Sequence, residues 1–145
     1  MIVYADSSVL VRAYLPDEKG HEGALDLLND PDLVVVTGTW TLIEVAGALV
    51  RAAKCFRGDQ GVLLAAWEAD TSDEGPITVI GAPQNEVERA AYGIVVEHGI
   101  RAMDAWHVAS AVLMVPQLAV GEEYGFVSRD KDQAAVAESK GFRIL

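Results

Sequence analysis

Apolar positions along the chain fall into two alternating rhythms. Short apolar or β-branched runs recur at residues 2–5, 33–36, 77–80, 124–128 and 142–144, and each reads as a strand. The unbroken run Leu33-Val34-Val35-Val36 marks a strand buried on both faces. Between the runs, apolar residues return every three or four positions. Leu42, Val45, Ala46, Leu49, Val50 and Ala53 predict a helix over 41–54. Leu63, Leu64 and Trp67 predict one over 59–70, and Ala24, Leu25, Leu27 and Leu28 a weaker one over 18–29. Pro83 opens another, with Val87, Ala90, Ala91, Ile94 and Val95 inward and Gly99 past its end. An almost wholly apolar helix over 102–115 stops at Pro116, and a short one covers 131–139.

Strands alternating with helices predict an α/β sandwich around a mainly parallel sheet of four to five strands. In such a sheet the ligand site lies beyond the carboxyl ends of the strands. The 145 residues read as one domain, 1–145, and a hydrophobic fraction of 51% excludes disorder for most of the length. One cysteine, Cys55, excludes a disulfide scaffold and fits a reducing compartment. The longest apolar stretch, 105–115, contains His107 and Ser110 and falls far short of the ~20 residues of a membrane helix. The first residues lack a cationic segment, so the expectation is a soluble, cytoplasmic protein without a signal peptide.

Charge narrows the choice of partners. Asp and Glu number 22 against 11 Lys and Arg, a net charge of −11. An extended phosphate-binding surface built on charge alone does not fit. Contact with nucleic acid must then be local or go through metal ions, and a basic protein partner suits the balance.

Four acids fall where this architecture aims at one crevice. Asp6 ends the first strand, and Asp130 follows the fourth. Glu44 and Asp104 lie in the first turns of the 41–54 and 102–115 helices. Each also has a plain structural role open to it. Asp6 and Asp130 suit helix caps, as does Asp132. Thr41-Leu42-Ile43-Glu44 reads as a capping box, and Asp104 as a first-turn acid favoured by the helix dipole. Together they say more, because four gathered carboxylates repel unless cations neutralise them. Oxygen donors favour Mg²⁺ or Mn²⁺. Such ions activate water and hold the phosphate oxygens of an in-line displacement. They also invert the local charge, which lets an acidic protein attract a polyanion.

Other chemistry is poorly supported. Cys55 has no partner at metal-ligand spacing. His107 lies three residues after Asp104 and reads as a packed histidine or one supporting a ligand. His21 and His98 read as surface. No Gly-x-Ser-x-Gly elbow surrounds Ser7 and Ser8, although Ser8 suits holding Asp6 or a metal-bound water. No glycine-rich phosphate loop follows the first strand. Trp40, Trp67 and Trp106 read as core or interface residues and not as base-stacking platforms. Arg51 reads as a solvated charge, and Arg101 and Arg129 as counter-charges to the acids.

The motifs together resemble a PIN domain, and within that class a VapC-type toxin ribonuclease. The matching segments are Asp6-Ser7-Ser8-Val9-Leu10 and Thr41-Leu42-Ile43-Glu44-Val45. To these add Arg101-Ala102-Met103-Asp104-Ala105-Trp106-His107-Val108-Ala109 and Val127-Ser128-Arg129-Asp130. Their order and spacing fit over essentially the whole chain. The resemblance implies a three-layer α/β/α domain with Asp6, Glu44, Asp104 and Asp130 holding one or two Mg²⁺ or Mn²⁺ ions. It implies an endoribonuclease that cuts with metal-activated water and leaves a 3′-hydroxyl and a 5′-phosphate. It further implies a homodimer silenced by a cognate antitoxin. Two departures stand out: Gln133 replaces a usual apolar residue, and the stretch 116–123 is long. The alternative on the same fold is a non-catalytic module whose acids cap helices or receive a basic partner. A phosphohydrolase of small phosphates fits less well, since neither a phosphate loop nor a first-strand Asp-x-Asp is present.

Overall fold

Alternation along each strand sends neighbouring residues to opposite faces. In the computed structural model, which describes residues 1–145, Tyr4 and Val36 enter one apolar cluster while Ala5 and Val35 enter another. The elements run β1 (Ile2–Ala5), α1 (Ser7–Leu10) with a 3-10 turn (Val11–Tyr14), α2 (His21–Asn29), β2 (Val34–Gly38) and α3 (Thr39–Lys54). Then follow α4 (Gln60–Asp70), β3 (Ile77–Ile80), α5 (Gln84–His98), α6 (Ala102–Ala119), β4 (Tyr124–Val127), α7 (Lys131–Ser139) and β5 (Arg143–Ile144). Helices α5, α6 and α7 pack on the first cluster, and α3, α4 and the 3-10 turn on the second. The result is a three-layer α/β/α sandwich.

All five strands are parallel, in the order β3-β2-β1-β4-β5. From β1 the chain moves outward to β2 and β3, then returns to the other side of β1 with β4 and β5. The direction of winding therefore reverses between β1 and β4, where open α/β sheets leave a crevice. Asp6 follows β1 directly, and Asp130 lies three residues beyond β4.

Two local expectations give way. Helix α3 starts at Thr39 with Gly38 in the cap position, so Thr41 is not a cap and no capping box forms. Thr41 is instead fully buried, its Oγ1 2.8 Å from that of Thr37, which donates to the Ala5 carbonyl at 2.7 Å. Burial of Thr41 against the sheet fixes where the helix begins, two residues before the sequence signal places it. Helix α6 likewise runs through Pro116 to Ala119. Val115 and Ala119 are both buried one turn apart, and that packing outweighs the hydrogen bond proline removes. Much of the long 116–123 stretch is thus the end of a helix. It stops at Val120, whose φ of 46° is left-handed. No helix is long and apolar enough to cross a membrane.

Candidate functional site

Asp6 stands at the point where β1 turns into α1, and it does two things there. Its Oδ1 caps α1, accepting from Ser8 N at 3.0 Å, Val9 N at 3.3 Å and Ser8 Oγ at 2.6 Å. Its Oδ2 accepts from Ser128 Oγ at 3.0 Å. Only 4% of the residue is exposed, and burial pushes its carboxyl above the usual range against the pull of Ser8.

Glu44 lies in the second turn of α3, not the first, and its Oε2 is 2.7 Å from His107 Nε2. The other ring nitrogen, Nδ1, is 2.9 Å from the hydroxyl of Tyr4, which also accepts from Gly38 N at 3.2 Å. Tyr4 is fully buried, and that burial raises its pKa, so the phenol keeps its proton. The imidazole is thus held at both nitrogens, between the Tyr4 hydroxyl and the Glu44 carboxylate. The network fixes the orientation of the ring and of the carboxylate.

Asp104 projects from the first turn of α6 and has almost no support. Its nearest cation is Arg101 Nε, 3.9 Å from Oδ2. Desolvation first, then the charge of Asp130, pushes its carboxyl up, and Arg101 only partly offsets this. Asp130 caps α7, its Oδ1 accepting from Asp132 N at 2.9 Å and Gln133 N at 3.1 Å. The capping reading thus holds for Asp6 and Asp130, and both still face the crevice.

The four acids surround one hollow of about 330 Å³, shared with Ser7, Ser8, Arg101, His107 and Arg129 and lined by no hydrophobic residue. Asp132 is exposed and lines a neighbouring hollow with Asp104 and Asp130. Asp130, and not Asp132, lines the hollow with the other three acids. A sequence profile of the PIN domain matches residues 3–139. The chain belongs to the PIN domain family. PIN domains are generally metal-dependent nucleases. The crystal structure of PAE2754 from Pyrobaculum aerophilum is similar with a TM-score of 0.58 and 20% identity, covering 99% of this chain and 89% of that one. At this identity the likeness speaks for the fold alone. No curated protein matches the chain in sequence.

No three acidic, histidine or cysteine side chains of this PIN domain draw together into a ready-made metal shell. The donor chemistry nonetheless fits a hard cation. All four acids present carboxylate oxygens to the hollow, no cysteine or apolar group intrudes, and desolvation has raised the carboxyls of Asp6 and Asp104, with the charge of Asp130 adding to the second. A small, strongly hydrated ion such as Mg²⁺ keeps several waters and needs only one or two direct carboxylates.

Three residues, Tyr4, Ser128 and Gln133, support the acids from behind in ways the motifs do not specify. Tyr4 is the signal's weakest case, an inward tyrosine in a strand whose hydroxyl must find a partner. Ser128 receives the amide of Asp130 at 3.0 Å and stands between Asp6 and Gln133. Gln133 is fully buried, and its Nε2 donates to the Asp104 carbonyl at 3.2 Å. The polar residue that departs from the family pattern therefore ties α7 to the start of α6. It joins the elements that carry Asp130 and Asp104.

Proposed function

We propose that this PIN domain is a VapC-type endoribonuclease, the toxin of a type II toxin–antitoxin pair, using Mg²⁺ or Mn²⁺. The observation that carries the reading is the gathering of Asp6, Glu44, Asp104 and Asp130 around one polar hollow at the point where the winding reverses. In this reading Asp6 and Asp104 hold the metal directly, Glu44 holds it or one of its waters, and Asp130 completes the set. When bound, a divalent cation supplies an activated water and neutralises phosphate oxygens during an in-line displacement.

The chain's own residues supply the positioning. Ser8 and Ser128 fix both oxygens of Asp6. His107 holds Oε2 of Glu44, leaving Oε1 to accept a proton from water. Arg101 and Arg129 are the two cations lining the hollow, and they face the backbone phosphates. Single-stranded RNA then docks locally, which suits a chain of net charge −11. The same hollow suits a basic segment of a cognate antitoxin. Homodimerisation and a cytoplasmic setting belong to this reading through the family resemblance.

The test maps new 5′ ends in total RNA incubated with the purified protein and Mg²⁺. Discrete cuts that vanish with Asp6→Asn and with a chelator support the nuclease. Intact RNA from a folded, metal-binding protein moves the reading to the non-catalytic interaction module. A toxin role is checked by growth arrest on expression, relieved by co-expression of an antitoxin gene adjacent in the genome.

A further inference from the structure

A second, smaller recess lies at the same edge of the sheet, beyond the ends of β2 and β3. Its volume is about 70 Å³, and its walls include Thr39, Trp40, Gln84, Trp106 and Ser110. Ser110 is 3% exposed, and its hydroxyl has no hydrogen-bond partner. A serine inside a helix ordinarily returns its hydroxyl to the carbonyl one turn back. Leaving it unpaired in a buried place is costly, so the hydroxyl calls for a ligand. Thr39 and Trp40 form the start of α3, which no side chain caps, so this wall offers N–H donors. Gln84 turns its amide nitrogen to Glu88 at 2.7 Å, which leaves its carbonyl oxygen as an acceptor. Trp40 is 43% exposed and meets Trp106 edge to face at 6.3 Å.

Resting on the nuclease reading, we propose that this recess is a base-recognition subsite for RNA and that it selects uracil or guanine. The recess is small, so it takes the polar edge of a base and not a whole nucleotide. The ring remains outside, stacked on exposed Trp40. Uracil and guanine present a carbonyl beside a ring N–H, which matches helix-start donors next to the Gln84 acceptor. Cytosine and adenine present the reverse pattern. Ser110 is a donor or an acceptor as required. The recess shares no lining residue with the acidic hollow, but two helices run from one to the other. Trp40 is one helical turn before Glu44, and Trp106 packs on His107 at 5.5 Å. A base held here therefore belongs to a nucleotide beside the cleaved phosphate.

The test has a readout independent of cleavage. The three indole N–H signals are followed by NMR while uridine or cytidine 5′-monophosphate is added without metal. The two probes differ at the edge in question. The Trp40 and Trp106 signals are expected to move saturably with the uridine nucleotide and far less with the cytidine one. Trp67, buried with its Nε1 bonded to the Leu42 carbonyl, stays still as the internal reference. Trp40→Leu is expected to lower RNA cleavage about tenfold in kcat/KM and to flatten base preference at one position beside the cut. Ser110→Ala keeps the stacking and weakens only the discrimination between uracil and cytosine. Cleavage with unmoved indoles and unchanged preference overturns the subsite and leaves the nuclease standing. Uridine-selective shifts without any cleavage support the subsite and overturn the nuclease.

Discussion

Two clusters of charge in this protein are built in opposite ways. Around Arg57, the guanidinium donates to Asp17 at 2.7 and 3.0 Å and to Glu18 at 2.8 Å. Arg57 holds the Asp17 carboxyl below its usual range. This clasp joins the loop before α2 to the loop after α3, and it lies in solvent. Around Asp104, like charges face one another, one of them nearly buried, and the carboxyls of Asp6 and Asp104 are pushed up. The first arrangement satisfies its charges and does little for stability, because water already screens them. The second leaves charge uncompensated at a cost in stability, as sites that await a cation do. Satisfied opposite charges in the one, and desolvated carboxylates around a shared hollow in the other, separate a structural ion cluster from a candidate working one.

That contrast breaks most visibly where the acids meet their ligand. Asp104→Asn is expected to lower RNA cleavage by at least about 100-fold, read from initial rates at saturating Mg²⁺. In the wild type, Mg²⁺ at about 100 times its Kd raises Tm by roughly 5–10 °C, and the substitution removes that rise. The next effect comes from the buried relay behind Glu44. His107→Leu leaves the Tyr4 hydroxyl and the Glu44 carboxylate without their hydrogen-bond partner, and costs about 2–3 kcal/mol in urea unfolding.

The third effect has the opposite sign. Without metal, Asp104→Asn is expected to raise Tm at pH 7 by on the order of 2 °C. A carboxyl whose folded pKa is raised favours the folded state below the unfolded value of about 3.9, and that advantage is lost as pH rises through the folded value. The gain from Asn therefore shrinks to nothing in melts taken below about pH 4. The smallest effect belongs to the clasp. Arg57→Ala is expected to lower Tm by less than about 2 °C, and the difference fades in about 0.5 M salt.

The layered fold is legible in the sequence because both faces of the sheet are buried. The buried pair Val35-Val36 and the 3.6-residue rhythm of α3 and α5 carry that information locally, although the strand that holds the pair starts on Val34, which is exposed. Helix limits are less legible where distant packing sets them, as at Thr41 and around Pro116. The four acids can be picked out because each stands at a strand end or near a helix start, where backbone geometry alone brings them to one edge. Ser8, two positions from Asp6, can be picked out as its support and does donate to it, but the pairings of distant supports cannot. Tyr4 and His107 are 103 positions apart, and Ser128 and Asp6 are 122 apart. Only the folded chain brings such partners together.

The most direct measurement of the central claim is calorimetric titration of the chain with Mn²⁺ at pH 5 and pH 7, repeated with Asp6→Asn and Asp104→Asn. The account predicts saturable binding that Mg²⁺ competes away and either substitution abolishes. Proton release on binding is expected to be larger at pH 5 than at pH 7, because the raised carboxyls must ionise to bind. Absence of binding, or binding that survives both substitutions in folded protein, would contradict it.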